Sequence, residues 1–124
     1  MLKKVLIVED SALQAKMYRM VFSSYQGCEL LFAENGLEAM NQLALQGDID
    51  LIISDINMPK MDGISFLQTM TKEGYSHIPV IVISTEDKDD DIRRALDLGA
   101  KAYVKKPWKQ DEVRNIVNRI KNWN

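Results

Sequence analysis

Four stretches of this 124-residue sequence lead from an apolar run to a charged or hydroxyl side chain: Glu9-Asp10, Asp55, Ser84 and Lys106. Asp55 is the most demanding of them. It follows Ile49-Asp50-Leu51-Ile52-Ile53-Ser54, short, β-branched and nearly continuous in hydrophobicity, as expected of a strand buried on both faces of a parallel sheet. A carboxylate driven out of such a run must be bound by something, and an aspartate at the carboxyl end of a central parallel strand points into the crevice where open α/β sheets place ligands. Brought together, the four stretches form the inventory for a phosphoryl group and a hard divalent cation. Carboxylates within a few ångströms repel, and without a cation at least one is pushed toward its protonated form. Mg2+ removes that conflict: it prefers octahedral oxygen coordination, keeps several waters and takes one or two carboxylates plus a phosphate oxygen, as Asp10, Asp55 and a backbone carbonyl near Asn57 can provide. A carboxylate can also attack phosphorus and become an aspartyl phosphate. Charge on the phosphoryl group in transit is then met by Mg2+ and the Lys106 ammonium. Ser84 can donate to a remaining phosphoryl oxygen, a contact that exists only after phosphorylation and is therefore the natural place for a switch.

The elements that must deliver these groups alternate along the chain. Lys4–Val8 reads as a buried strand ending at Glu9-Asp10-Ser11, with Ser11 capping a helix whose apolar face is Leu13, Met17, Met20 and Val21. Glu29–Ala33 reads as a second strand, and Asn35-Gly36 opens a helix carrying Leu37, Met40 and Ala44 on one side. Ile49 to Ile53 forms the central strand, stopped by Met58-Pro59 and Asp62-Gly63, after which Phe66, Leu67 and Met70 face inward on a third helix. Val80–Ile83 is the most strongly strand-forming run and delivers Ser84, Thr85 and Glu86. An acidic run from Asp87 to Asp91 suits the first turn of a helix continuing through Ile92, Ala95 and Leu96. Ala102-Tyr103-Val104 makes a fifth strand ending at Lys105-Lys106-Pro107, and Val113, Ile116, Val117 and Ile120 mark the face of a last helix. Short connections of this kind require right-handed crossovers, so the expected class is α/β: a doubly wound, five-stranded parallel sheet with five helices on its two faces.

Composition excludes several functions. Residues 1–124 amount to one ordinary domain able to bury roughly two thirds of its unfolded surface, and no second, output domain fits. Sixteen basic against eighteen acidic side chains leave a net charge of −2, so there is no global polycation for direct nucleic-acid binding. The single cysteine, Cys28, excludes an internal disulfide and reads as a buried strand residue, which suits a reducing cytoplasm. The apolar runs are too short for a membrane span, and the N-terminus is not a signal peptide. His77, the only histidine, reads as loop surface, so neither a zinc cluster nor a phosphorelay histidine domain is present.

Glu9-Asp10, Ser54-Asp55-Ile56-Asn57-Met58-Pro59 with Asp62-Gly63, Ile83-Ser84 and Lys105-Lys106-Pro107 closely resemble the receiver domain of two-component response regulators, most of all the stand-alone chemotaxis type. The likeness covers the whole chain, and the combination is far more specific than any one piece. It implies a flavodoxin-like fold with strand order 2-1-3-4-5. It further implies Asp55 as phosphoacceptor, Glu9 and Asp10 arranging Mg2+, Ser84 as switch hydroxyl, Lys106 binding the phosphoryl group, Tyr103 as switch aromatic and a cis Lys106–Pro107 bond. Ile92, Lys105 and Trp108 fall on the face built from the fourth helix, fifth strand and fifth helix, which phosphorylation reshapes in this family; Trp108, standing where phenylalanine is commoner, is read as packing rather than chemistry. Thr85 stands where the family usually carries a smaller residue and restricts access to Asp55, whereas Asn57 and Glu86 match the chemotaxis-type pattern and imply a short-lived phosphoryl group. The implied partners are a sensor histidine kinase or phosphotransfer protein as donor and a separate downstream effector protein. The implied state is a monomer or a weak phosphorylation-dependent dimer in the cytoplasm, not an enzyme in the ordinary sense, although self-phosphorylation from small donors and self-dephosphorylation are expected.

Two rivals share parts of this pattern. An aspartyl-nucleophile phosphohydrolase generally carries a second acid two positions after the nucleophile, where this sequence has Asn57. A flavin-binding protein can use the same sheet, but no Ser/Thr/Gly-rich phosphate loop follows the first strand.

Overall fold

The computed structural model describes residues 1–58, 60–85, 89–121 and 123. Along them alternate β1 (Lys4–Val8), α1 (Ala12–Phe22), β2 (Glu29–Ala33), α2 (Gly36–Leu45), β3 (Leu51–Asp55), α3 (Gly63–Lys72), β4 (Val80–Ser84), α4 (Asp89–Asp97), β5 (Ala102–Lys105) and α5 (Gln110–Ile120). The strands pair in parallel in the order β2-β1-β3-β4-β5, the doubly wound, flavodoxin-like arrangement expected. Every residue of β3 and β4 is buried, which is why these segments read as continuous apolar runs rather than as alternating ones.

Alternation along each strand feeds two cores. Leu6, Val8, Ile52, Val80 and Val82 pack with Ala39, Leu43, Phe66, Met70 and Ile92 on the face covered by α2, α3 and α4. Val5, Ile7, Leu51, Ile53, Ile81 and Ile83 pack with Tyr18, Phe22, Val113 and Val117 under α1 and α5. Because the strands are parallel, all their carboxyl ends reach one edge of the sheet, and three of the helices that follow begin in side-chain caps there. Ser11 Oγ accepts from the Gln14 N–H at 3.3 Å, Asn35 Oδ1 from Glu38 N–H at 3.0 Å and Asp62 Oδ1 from Ser65 N–H at 2.8 Å.

The structure corrects several local readings. Ile49 is buried but precedes β3, which begins at Leu51 and takes in Asp55 as its last residue. On α1, Leu13 and Met20 are exposed, and the buried face is Tyr18, Val21 and Phe22. On α2, Leu37 and Ala44 face solvent and Ala39 and Leu43 are buried. Leu96 is likewise exposed on α4. Cys28 is half-buried and lies just before β2 rather than in it. The readings on Pro59, Glu86 and Asp87 lie outside the described residues.

Candidate functional site

Strand register sets the site. Val8 pairs with Ser54 and Asp55 with Ile83, so Glu9, the residue after β1, stands level with Asp55 at the end of β3. Ser84 pairs with Lys105, and the Lys106 N–H donates to the Ser84 carbonyl at 2.7 Å, which aims the next side chain back across the sheet end. Lys106 Nζ lies 2.5 Å from Asp55 Oδ2 and 3.8 Å from Glu9 Oε2. The Lys106–Pro107 peptide is cis, as the resemblance implied.

The two carboxylates are nearly as shielded as the core, with Glu9 5% and Asp55 3% exposed. Asp55 is well supplied: its Oδ2 meets the ammonium and its Oδ1 accepts from the Asn57 N–H at 2.9 Å. Glu9 is not. Its Oε1 accepts from the Ser11 N–H at 3.1 Å, while Oε2 is buried without a hydrogen-bond partner among the described residues. Burial first, and the charge of Asp55 second, push the Glu9 carboxyl up to about 7 against the opposing pull of Lys106 and the Ser11 N–H. Burial works against the Lys106 ammonium, yet the hydrogen bond and charge of Asp55, with Glu9 and Asp10 behind them, outweigh it and hold the amine above the ordinary lysine range.

A divalent cation fits this arrangement. The orphaned Oε2 of Glu9 is an acceptor waiting for a positive group, and Asp10 beside it is exposed. Among the described residues no three Asp, Glu, His or Cys side chains are grouped closely enough to hold a metal by themselves.

The remaining candidates fall into two groups. Ser84 is fully buried and its hydroxyl donates at 3.0 Å to the carbonyl of Thr85, itself exposed, so in this state the hydroxyl serves its own loop. Tyr103 is 42% exposed, and Lys105 pairs with Asp89 at 3.1 Å in solvent. Ile92 and Trp108, expected on the partner-facing surface, are instead buried at 5% and 4% exposure: Ile92 is the apolar inward residue of α4, and Trp108 stacks on Tyr18 with ring centroids 4.8 Å apart. Sequence reasoning missed Tyr18, whose hydroxyl is raised by burial and then by the charges of Glu9 and Asp55. It also missed Ser54, buried behind Asp55 with its hydroxyl donating to the Asp55 carbonyl at 3.2 Å. Gly63 was read only as part of a turn, whereas it starts α3 so close to β3 that a Cβ there would lie 2.5 Å from the Asp55 carbonyl oxygen. An aromatic in phase with Val21 and Phe22 was the available signal for Tyr18; nothing local marked Ser54.

Comparison with known proteins agrees with this geometry. A probable transcriptional regulator, ycf29, of Pyropia yezoensis is 36% identical over 118 residues, which are 94% of this chain. The chain spans about half the length of that relative, 52%. The chemotaxis protein CheY1 of Helicobacter pylori strain 26695 is 31% identical over 106 residues, covering 85% of this chain and 86% of that protein. The crystal structure of the Mn2+-bound form of the response regulator Rcp1 superposes with a TM-score of 0.80 at 29% identity, covering 98% of this chain and 93% of the other. Residues 5–118 match the response regulator receiver domain, and with the sheet order and the converging strand ends this establishes that the chain belongs to the response regulator receiver domain family.

Proposed function

We propose that this receiver accepts a phosphoryl group on Asp55 from a histidine kinase or phosphotransfer protein and in doing so changes a surface read by a second protein. The observation that carries the reading is one buried carboxylate held by an ammonium on one oxygen and a backbone N–H on the other, beside a second buried carboxylate with an oxygen unmatched. Asp55 attacks phosphorus in line; a P–O bond forms on the carboxylate as the P–N bond of a donor phosphohistidine breaks, and the imidazole leaves with the bonding pair. Lys106 already lies against the acceptor oxygen and can follow charge onto the phosphoryl oxygens. When bound by Glu9, Asp10, Asp55 and the Asn57 carbonyl, Mg2+ supplies neutralising charge and orientation; the Mn2+-bound relative supports a hard cation in such a site.

Ser84 provides the conformational link. Its hydroxyl is spent on the Thr85 carbonyl, and donation to a phosphoryl oxygen instead would draw that loop inward. Tyr103 and Lys105 stand on β5, which pairs with β4 up to Ser84. Tyr103 borders a groove of about 580 Å3 with Leu96, Lys101, Ile116 and Arg119, the surface a downstream partner would read. Intact-mass measurement after incubation with phosphoramidate or acetyl phosphate tests the assignment. Wild-type protein gains one phosphoryl group only with Mg2+ present, and Asp55→Asn gains none; equal incorporation into both proteins would refute it. Asn57 beside the site favours a short-lived adduct, and an adduct that persisted for many hours in Mg2+ buffer would contradict this part of the reading.

A further inference from the structure

Beyond Asn57, whose N–H orients Asp55, residues 60–63 lead into α3 and are anchored at two points. At their end, the Gly63 N–H donates to the Ile56 carbonyl at 2.9 Å, and the missing Cβ of Gly63 lets α3 start against the backbone of β3. The second anchor is on another helix. The Gly36 N–H, at the first position of α2, donates to the Met61 carbonyl at 3.2 Å. A Cβ built on Gly36 would meet Met61 Cγ at 2.7 Å, its carbonyl oxygen at 2.8 Å and its Cβ at 2.9 Å. Gly36 is not among the glycines with positive φ, so glycine is required here by close approach and not by backbone conformation. Helix propensity favours alanine at such a position, and Asn35 already caps the helix through Glu38. What glycine adds is contact with Met61. Met61 and Met58 in turn pack against the core under α2 and α3, which opposes their movement away from a bulkier residue.

We propose that Gly36 is a positioning residue for phosphorylation: by admitting Met61 against the start of α2 it holds the segment that aims Asp55. The inference rests on the reading of Asp55 as acceptor, and its first test does not need phosphate. In Gly36→Ala the Met61 carbonyl, being backbone, cannot rotate away, and the variant is expected to displace Asn57, four residues earlier in the chain. The Asn57 amide resonance, which reports its hydrogen bond to Asp55, shifts in the unphosphorylated protein. The rate of phosphorylation by phosphoramidate in saturating Mg2+ falls about tenfold, the effect of misplacement well below an ångström. Ala44→Gly, which weakens the same helix from an exposed position in its last turn, separates position from stability: it leaves the Asn57 resonance in place and the rate within about twofold. An unmoved Asn57 resonance in Gly36→Ala, or equal slowing in both variants, overturns the proposal. Hydrogen exchange on wild-type protein covers the case in which Gly36→Ala does not fold. The Gly36 and Gly63 amides share one opening event if the segment is held at both points, and a Gly36 amide exchanging far faster than Gly63 overturns the clamp. Failure of Asp55 itself to take phosphate would appear in Asp55→Asn against wild type and leaves these resonances unaffected.

Discussion

The ends of β1 and β3 make an instructive pair. Each presents one carboxylate at the same level of the sheet, Glu9 and Asp55, each almost wholly shielded from water and each facing the same ammonium. Yet Asp55 has a partner on both oxygens, while Glu9 has one oxygen bound and one unmatched. The difference is one of reach: Lys106 closes on the end of β3 at 2.5 Å and stops 3.8 Å short of Glu9. Burial alone therefore does not assign a role to an acid. What matters is which positive group arrives, and the unmatched oxygen marks where a second one is wanted.

The largest test of this asymmetry removes the shared ammonium. Lys106→Ala leaves two buried carboxylates facing each other, and we expect phosphorylation by a small donor to slow about 100-fold for want of charge on the phosphoryl oxygens. Stability falls by about 2 kcal/mol in urea titrations, less than for a fully buried pair because the lysine side chain is partly exposed. Retention of the wild-type rate would remove Lys106 from the chemistry.

Glu9 gives the next effect, through pH. With its carboxyl raised from the ordinary 4.5 to about 7, the folded protein holds a proton between those values that the unfolded chain has released. Stability contributed by this group is therefore highest near pH 4.5 and declines as pH rises toward 7, by about 3 kcal/mol at most. Thermal melts across that window read the slope. Glu9→Gln flattens it, and Mg2+ restores stability at pH 7 in wild type more than in Glu9→Gln. An identical slope in both proteins would dissociate the unmatched oxygen from the titration.

The smallest effect comes from an acid with a partner but no burial. Asp89 meets Lys105 at 3.1 Å with both side chains substantially in solvent, and Asp89→Ala changes stability by no more than about 0.5 kcal/mol. A loss comparable to that of Lys106→Ala would mean that pairing, not shielding, governs these sites.

Much of this molecule was readable along the chain because parallel strands buried on both sides leave an unmistakable apolar run. Glu29–Ala33 and Lys4–Val8 were delimited as they are found. The helices fared worse. Leu13, Met17, Met20 and Val21 recur at spacings of three and four, but Tyr18 also lies three residues before Val21, and α1 has apolar groups on more than one side. Which side is buried depends on how the helix docks, and the larger aromatics won. Ile92 and Trp108 were placed on the surface for a similar reason: position in the chain gives the element, not the depth.

The order of residue types along the chain was enough to name Glu9, Asp10, Asp55, Ser84 and Lys106 as candidates, since a charged or hydroxyl side chain at the end of an apolar strand is a local signal that needs no neighbour to be seen. The distances among them were not, nor the orphaned oxygen of Glu9, nor the pressing of Met61 onto Gly36. These depend on strand register and helix docking between residues far apart in sequence, and packing settles such contacts only when the whole sheet has closed.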